Sequence, residues 1–381
     1  MKMLMAGLGS ALVFTASPVF AGVAAQTNAP AASATAVSVE VVATGLAFPW
    51  GVAVLPDGRF LISERGGKLK IVSADGRRAT EVSGVPAVEA RGQGGLLDVA
   101  LSPGFAVNRS IYLTYSEPRS GGGNGTAVAK ATLETDGDVA KLGGVTVIFQ
   151  QEPAVKSQFH FGSRVVFDRD GNLFVTTGER AVARDQAQNP ANHIGKIIHI
   201  APDGAAAPGN PGLAGWEPRN WSIGHRNIQG AALDPATGQL WTVEHGAKGG
   251  DELNSPQAGK NYGWPVITYG RDYSGEAIGE GKAKPGLEQP VYYWDPSIAV
   301  SGMVVYDGAL FQSWKGNLIV GALKGAHLQR LVIENGKVVA QERLLEDLGE
   351  RIRDVRQAPD GSLLVLTDAA RGQLLRVTPK R

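Results

Sequence analysis

The sequence contains 381 residues, with 37 Lys or Arg against 36 Asp or Glu, so its formal net charge is +1. A balance this near neutrality, with no run of five like charges, excludes binding to nucleic acid or to a membrane surface through bulk charge. Cysteine is absent, which excludes disulfides, thiol catalysis and iron–sulfur clusters. The 51 glycines and the many short apolar runs predict an all-β protein with tight turns.

The N-terminus has the pattern of a secretory signal peptide. Lys2 precedes a small and apolar stretch, which ends in a small-residue cleavage context at Ala21. We predict a signal peptide over residues 1–21, cleavage after Ala21 or Ala25, and a periplasmic or secreted protein with no membrane span once the signal is removed. A buried N-terminal helix is the alternative. Residues 22–38 are rich in Ala, Thr and Ser and are predicted to form a disordered tether. Residues 39–381 are predicted to form one folded domain.

A short phrase recurs along this domain: a turn centred on Asp-Gly or an equivalent, followed by an alternating apolar strand. Asp-Gly between apolar runs indicates a hairpin, because the tight turn requires positive φ. Six copies at uneven spacing predict the blade-sized units of a β-propeller, with insertions in its loops. The copies occupy residues 56–64, 103–115, 170–179, 235–244, 315–321 and 359–368.

Two further features refine this prediction. The early strand 39–42 is expected to pair with the last strand near 374–377, because closing the ring removes exposed sheet edges. The longest interval between phrases, residues 246–302, is expected to hold a large functional loop. The signatures of a dinucleotide-binding fold, a P-loop, a serine-hydrolase elbow and an HExxH metal site are all absent from the sequence.

Polar clusters rich in glycine flank the predicted strands, nearly once per unit. Such positions converge on the central channel of a propeller and are a common place for functional sites, although each cluster alone is also compatible with an ordinary turn. The clusters occupy residues 91–95, 160–164, 224–230, 244–252, 259–265, 321–324 and 351–353.

In this order the clusters resemble the soluble quinoprotein sugar dehydrogenases, from about Gly45 to Lys380. The most specific parts are Gly224-His225-Arg226-Asn227 and Asn261-Tyr262-Gly263-Trp264-Pro265. The segments 160–162 and 351–356 are closer to the aldose branch than to the glucose branch. The resemblance implies six four-stranded antiparallel blades, a pyrroloquinoline quinone (PQQ) cofactor and Ca²⁺.

The resemblance also assigns roles to individual residues. His160 corresponds to the catalytic base and Arg226 to the residue that polarises the reactive quinone carbonyl. The other implied cofactor contacts are Gln93, Asn227, Tyr273, Lys324, Arg351 and Arg353. Because the quinone carries three carboxylates, paired cations suit it, and two arginines one residue apart on a strand face the same side. A surface ion pair with Glu350 or Asp354 is the alternative for these arginines.

Two calcium sites are implied. The main-chain carbonyls of Gly246 and Ala247 correspond to ligands of the ion beside the quinone, and such oxygens suit a hard cation. The family commonly has Pro where Ala247 stands. Glu252 and Tyr262 correspond to a second, structural site.

One departure concerns the partner of the base. The glucose-type enzymes have an acidic residue directly before it, whereas this chain has Phe159, so the group that orients His160 is not identified from sequence. The same change favours a broad aldose specificity.

The expected function is therefore PQQ-dependent oxidation of aldoses to lactones, with an electron acceptor that the sequence does not identify. We expect a monomer or a homodimer, and no nucleic-acid partner. Two other functions remain open at this point: a calcium-dependent sugar lactone hydrolase, and a propeller that binds carbohydrate without catalysis. The hydrolase would not need the arginines around a tricarboxylate, and the binding module would not need His160 at the channel.

Overall fold

The computed structural model describes residues 25–380, so the predicted signal peptide lies outside the described part of the chain. Nearly all of the regular structure there is antiparallel strand. The helical pieces are short: α1 (Phe105–Asn108) and 3₁₀ turns at Ser120–Gly122, Arg184–Gln188, Gln312–Trp314 and Glu346–Leu348. None of the helices in residues 25–380 has the length and apolar character needed to cross a bilayer.

Four sheets contain four strands each. Three of them follow the chain in simple order and are named here units 3, 4 and 5. Unit 3 comprises β10 (Gly162–Phe167), β11 (Leu173–Thr177), β12 (Lys196–Ile200) and β13 (Asn220–Ile223). Unit 4 comprises β14 (Ile228–Leu233), β15 (Leu240–Glu244), β16 (Asp251–Asn254) and β17 (Tyr292–Trp294). Unit 5 comprises β18 (Val300–Val305), β19 (Leu318–Ala322), β20 (His327–Glu334) and β21 (Lys337–Leu344).

The fourth of these sheets, unit 6, joins the two ends of the domain. Its strands are β22 (Ile352–Gln357), β23 (Leu363–Thr367), β24 (Gly372–Pro379) and β1 (Val37–Leu46). Strand β1 pairs antiparallel with β24, with Val39 opposite Val377 and Val41 opposite Leu375. The predicted pairing of the first strand with the last is therefore confirmed.

The remaining sheet has eight strands, which divide into two groups of four. Unit 1 comprises β2 (Pro49–Val54), β3 (Phe60–Glu64), β4 (Lys68–Val72) and β5 (Ala79–Ser83). Unit 2 comprises β6 (Leu96–Leu101), β7 (Ser110–Pro118), β8 (Asn124–Asp136) and β9 (Val139–Gln150). The groups are joined by a short parallel pairing of β5 with β9, at Val82 with Ala140 and Ser83 with Lys141.

The inner strands of the units form a closed ring. Strand β2 contacts β6, β6 contacts β10, β10 contacts β14, β14 contacts β18, β18 contacts β22, and β22 returns to β2. This is the arrangement of a β-propeller, as the repeated phrases predict. Splitting the eight-stranded sheet at its β5–β9 junction gives six four-stranded units over residues 37–379, and we interpret each unit as one blade.

The repeated phrases have a common place in this architecture. Each one forms the turn into the second strand of a unit, which is β3, β7, β11, β15, β19 or β23. The glycines of the four strongest copies all adopt positive φ, with values of 83° at Gly58, 84° at Gly171, 79° at Gly238 and 84° at Gly361. The local requirement for positive φ therefore places the turns, and the alternating residues after them supply the strands.

The hydrophobic core lies between neighbouring units as well as within them. Trp241 of unit 4 and Met303 of unit 5 belong to one buried cluster, and Leu113 of unit 2 belongs to another with Leu61 of unit 1. Burying one such large side chain contributes about 1.5–3 kcal/mol. Because these contacts cross from unit to unit, they hold the inner strands and the loops above them in fixed positions.

The segment before β1 differs from the predicted disordered tether. The Tyr293 N–H donates to the Gln26 carbonyl at 2.9 Å, the Ala32 N–H to the Gln341 carbonyl at 2.7 Å, and the Gln341 amide to the Ala29 carbonyl at 2.7 Å. The small side chains of this stretch allow its backbone to lie flat on the outer strands of units 4 and 5. The folded domain also begins at Val37, two residues before the predicted boundary.

Candidate active site

The predicted site residues collect at one end of the ring. His160 and Arg226 lie just before inner strands, and Lys324 follows a second strand. In an antiparallel unit the start of one strand lies beside the end of the next, so these termini surround the mouth of the central channel. These residues are far apart in the sequence, and the arrangement of the units around the ring brings them together.

Two adjoining cavities open at this mouth. The inner cavity, about 150 Å³ in volume, contains three of the predicted residues in its wall: Gln93, Arg351 and Arg353. The outer cavity, about 560 Å³, contains four others: Gly246, Ala247, Tyr273 and Lys324. His245 and Ala299 line both cavities, so together the two form one continuous space.

His160 is not itself part of the wall of either cavity, but the next two residues, Phe161 and Gly162, line the inner one, and the backbone conformation of His160 is unusual. Its φ is 52°, in the left-handed region that non-glycine residues rarely adopt. Its N–H donates to Gln93 Oε1 at 2.8 Å, and its Nδ1 lies 2.6 Å from Glu179 Oε1. With Nδ1–H donating to the carboxylate, Nε2 has its lone pair free to accept a proton.

Glu179 is the functional residue that sequence reasoning missed. It follows β11, its side chain is almost fully buried, and it supplies the carboxylate that Phe159 does not. Phe159 is half exposed and lies edge-on to the imidazole, with ring centroids 6.4 Å apart. The signal was present in the sequence, because Thr177-Gly178-Glu179 ends a predicted strand at the channel mouth.

The surroundings of His160 determine its charge. Burial lowers the pKa of the imidazole below its ordinary value; the hydrogen bond that the imidazole donates to Glu179 raises the pKa, and the nearby charge of Arg226 lowers it. Burial also lowers the pKa of His245 to about 4. Both rings are therefore neutral at pH 7, as a base that must take a proton requires.

Arg226 is buried beside the small recess under the outer cavity. Its Nη1 donates to the His245 carbonyl at 3.2 Å, its guanidinium lies 5.1 Å from the centre of the Trp264 ring, and its backbone N–H donates to Glu244 Oε2 at 2.7 Å. Its Nε is buried and has no partner among the described residues. A buried donor without a partner is costly, so this atom is suited to bind a ligand.

Asn227 is also buried and connects neighbouring inner strands. Its Oδ1 accepts the N–H of Gly162 at 3.1 Å and Nε2–H of Gln229 at 3.2 Å. Its Nδ2, like the Arg226 Nε, has no partner within residues 25–380. The side chain therefore stabilises the channel wall and keeps a donor for a bound group.

Arg351 and Arg353 approach the same carboxylate, that of Asp368 on the neighbouring strand terminus. The Asp368 Oδ2 lies 3.2 Å from Arg351 Nη2 and 3.0 Å from Arg353 Nη2. Their expected alternative partners, Glu350 and Asp354, do not fill this role. Burial opposes ionisation of Asp368, but Arg353, Arg351 and Arg65 together lower its pKa below the ordinary value.

The inner cavity consequently has an excess of positive charge. Arg65, Arg351 and Arg353 line it against the single carboxylate of Asp368, a difference of two charges. Nε of Arg353 is buried without a partner in the described chain. Planar guanidinium groups bind carboxylates in a bidentate manner, so this wall is suited to an anionic ligand.

Lys324 and Tyr273 are on the outer side. Both are exposed, and Tyr273 is 74% exposed. Lys324 is held through its backbone, whose N–H donates to the Ile298 carbonyl at 3.0 Å. These two side chains are therefore available to a ligand in the outer cavity.

The proposed calcium loop is stabilised by a carboxylate. Oδ1 of Asp251 accepts the Gly246 N–H at 2.9 Å, and Oδ2 accepts the Ala299 N–H at 2.7 Å. A side chain at Gly246 would collide with the main chain of Gly250. The loop is thus fixed even though Ala247 replaces the usual proline.

Glu252 and Tyr262 line the small recess below, with Glu244. Burial and the carboxylate of Glu244 raise the pKa of Glu252 well above its ordinary value. Tyr262 uses its hydroxyl within the chain, donating to the Ser255 carbonyl at 3.1 Å, which leaves its own carbonyl as the candidate ligand. Nowhere in residues 25–380 do three or more acidic or histidine side chains converge as a metal site, so calcium would depend largely on main-chain oxygens.

Below the cavities, four charged side chains fill the channel. Arg164 Nη1 lies 3.2 Å from Asp98 Oδ1 and 3.1 Å from Asp354 Oδ1. Arg356 approaches the same two carboxylates at 2.8 and 3.0 Å. Asp98, Arg164 and Asp354 are at most 1% exposed. We call these four residues the floor network, because they close the channel beneath the site.

The fold and the site at the channel mouth define a β-propeller enzyme. Comparisons with known proteins identify its family. Residues 46–376 match the family described as Glucose / Sorbosone dehydrogenase. The chain is 45% identical over 349 residues to the aldose sugar dehydrogenase YliI of Escherichia coli, which covers 90% of this chain and 93% of that protein.

Comparisons with solved structures support the same family. A glucose dehydrogenase crystal structure is 47% identical, with a TM-score of 0.87 over 90% of this chain and 100% of that one. The PQQ-bound aldose sugar dehydrogenase of Streptomyces coelicolor is 32% identical, with a TM-score of 0.74 over 92% and 100%. The chain belongs to the glucose and sorbosone dehydrogenase family and is an oxidoreductase, which confirms the resemblance seen in the sequence.

Proposed function

We propose that this protein oxidises aldose sugars at the anomeric carbon to lactones, with PQQ as the electron acceptor in the site and His160 as the base. One observation carries the proposal: a neutral, partly buried histidine held by Glu179 directly precedes two residues, Phe161 and Gly162, that line a cavity with excess arginine charge. The PQQ-bound relative supports the cofactor. The family membership supports the reaction class.

The residues present fit the quinone. Arg351, Arg353 and Lys324 would hold its carboxylates, and Arg226 and Asn227 offer buried donors that lack partners in the described chain. Gln93 and Tyr273 complete the proposed contacts. When bound, the quinone supplies the group that accepts hydride from the sugar, and calcium supplies a Lewis acid beside it.

The chain's own contribution is proton transfer and orientation. His160 Nε2 takes the proton of the anomeric hydroxyl while Nδ1–H remains bonded to Glu179, which stabilises the resulting imidazolium. Gln93 Oε1 accepts the His160 N–H and holds the base next to a residue of the inner cavity wall. Arg226 lines the neighbouring recess, and its positive charge disfavours protonation of His160 before the sugar is bound.

For calcium we propose the carbonyls of Gly246 and Ala247 at the cofactor, and Glu252 with Tyr262 at a second site. Gly246 and Ala247 line the outer cavity, Asp251 holds their loop in place, and main-chain oxygens are ligands that Ca²⁺ accepts. We further propose that residues 1–21 export the protein to the periplasm or the medium. The electron acceptor outside the site is left to experiment.

A lactone hydrolase is less well supported. Such an enzyme would use the metal loop. It would not need two arginines that share the carboxylate of Asp368, or buried guanidinium N–H groups that have no partner in the described residues. A carbohydrate-binding propeller without catalysis gives no reason for the His160–Glu179 pair.

Reconstitution tests the function directly. The purified apo-protein is mixed with PQQ and Ca²⁺, and reduction of a redox dye is followed with a panel of aldoses and with a sugar lactone. We expect dye reduction that depends on sugar, on PQQ and on calcium, and is lost on chelation. Lactone hydrolysis without any sugar-dependent reduction would overturn the proposal.

His160→Gln tests the base. We expect turnover to fall about 10²–10⁴-fold, because general-base catalysis is worth that much, with PQQ binding retained. Gln158→Ala changes an exposed side chain of the same loop and serves as the matched control, with near-normal turnover. Normal turnover in His160→Gln would show that another group is the base.

A further inference from the structure

Arg180, which follows Glu179 directly, is a charged residue that the mechanism above does not use. Its side chain is fully buried and its φ is 65°. Buried arginines normally pair with carboxylates. Within the described chain this guanidinium instead donates only to neutral oxygens.

Those oxygens surround the base. Nε donates to the Phe159 carbonyl at 3.0 Å, and Nη2 donates to the Ser157 carbonyl at 2.9 Å. The guanidinium also lies 3.7 Å from the centre of the Phe161 ring. Arg180 therefore contacts the loop on both sides of His160.

Asn124 completes the arrangement from the neighbouring unit. Its Oδ1 accepts Nη1 and Nη2 of Arg180 at 3.0 and 2.8 Å, and its Nδ2 donates to the Ser157 carbonyl at 2.9 Å. The planar guanidinium group of Arg180, called the fork here, thus joins strand β8 of unit 2, where Asn124 lies, to the loop that carries His160. This arrangement can hold His160 in its left-handed conformation, which is unfavourable in isolation.

The charge of Arg180 also acts on the imidazole. The groups that face His160 are Glu179, Arg180, Arg226 and the neutral ring of His245. Glu179 favours the imidazolium, whereas Arg180 and Arg226 disfavour it. A carboxylate in place of Asn124 would cancel part of this effect, but the chain has a neutral amide there.

We propose that Arg180 is a positioning residue that sets both the geometry and the basicity of His160. The inference rests on the proposed role of His160 as the base. The guanidinium hydrogen bonds hold the loop backbone in place. The charge of Arg180, which no carboxylate contacts directly among the described residues, acts with burial and Arg226 to lower the pKa of the imidazole. Arg180 does not line the cavities proposed to hold the cofactor, and it does not contact Nε2 of His160.

Two substitutions separate these effects. Arg180→Lys keeps the charge and loses the planar fork, so we expect kcat to fall about tenfold or more while the titration midpoint of His160 stays in place. Asn124→Asp keeps the fork and gives it a carboxylate partner, so we expect the midpoint to rise by about half a pH unit or more. The acid limb of the kcat/KM profile should rise with it.

The midpoint is read by NMR of the imidazole nitrogens in the apo-protein, which requires no cofactor and no turnover. The chain has six histidines, and His160→Gln assigns the signal. Arg184→Lys, an exposed arginine of the following loop, is the matched control and should change neither readout. A protein that oxidises no sugar would refute the proposed function, yet the NMR titration would still test Arg180.

Two outcomes would overturn the proposal. The first is a titration midpoint of His160 that does not change in Asn124→Asp and, if the variant folds, does not change in Arg180→Gln either. The second is a kcat in Arg180→Lys equal to that of the control. Loss of thermal stability in either variant without a change in midpoint or kcat would mean that Arg180 serves the fold alone.

Discussion

Two clusters of arginine and aspartate lie one above the other in the channel, and they are built differently. In the floor network two arginines face two aspartates, and the charges balance. In the inner cavity above, three arginines face Asp368 alone. The strand β22 contributes to both, with Arg353 above and Asp354 and Arg356 below. The same residue types therefore stabilise the fold where positive and negative charges balance, and they form a candidate ligand site where positive charge is in excess.

The physical reason lies in burial. A charge removed from water needs an opposite charge beside it. Where no ligand can reach the charge, that partner must come from the chain itself. The floor network is closed beneath the cavities, whereas the upper arginines border open space.

Asp98→Ala should destabilise the apo-protein by about 3–5 kcal/mol, because it removes half of the carboxylate charge that faces the buried Arg164 and the partly buried Arg356. The free energy of unfolding is measured by urea denaturation. Asp138→Ala removes an exposed partner of Arg78 and should cost under about 1 kcal/mol. Equal losses in the two variants would contradict the structural role of the floor.

Arg353→Met should mainly affect ligand binding. Loss of one charge-assisted contact costs about 1.5–3 kcal/mol, so PQQ affinity should fall about 10–100-fold in a titration of the apo-protein. Arg371→Met, at an exposed position near the same end of unit 6, is the control. If the variant bound PQQ normally but unfolded as readily as Asp98→Ala, the upper cluster would be structural too.

Asp368→Asn should have the smallest effect, and one that depends on pH. Because the folded state lowers the pKa of this carboxyl below 3.8, its ionised form stabilises the protein above about pH 4, and this stabilisation is lost as the pH falls through the lower folded value. The stability difference between wild type and variant should therefore shrink on acidification below pH 4. A difference that stays constant from pH 6 to pH 3 would contradict the assignment.

Much of the fold could be predicted because its signals are local. The turn glycines and the alternating residues after them identify the second strand of every unit, and β1 was correctly matched with β24. The segment 26–36 was mispredicted as disordered because composition does not report that small residues can lie flat on a neighbouring sheet.

The site was only partly predictable. The resemblance supplied His160, Arg226, Arg351 and Arg353, whose roles are proposals here. Glu179, Arg180 and Asp368 were missed although each stands at or just beyond the end of a predicted second strand. Their positions at strand ends are visible in the sequence, but their partners are not neighbours in sequence, so no local pattern shows what each side chain contacts.

The all-β class, the turns and the repeated strands follow from the sequence, because positive φ and alternation depend on neighbouring residues alone. Which charges meet became known from the folded chain: Glu179 with His160, Asp368 with Arg351 and Arg353, and Asp98 with Arg164. The first two pairings join neighbouring strand ends within one unit, and the third joins units 2 and 3. The charge states at the site depend in turn on the burial that the assembled units create.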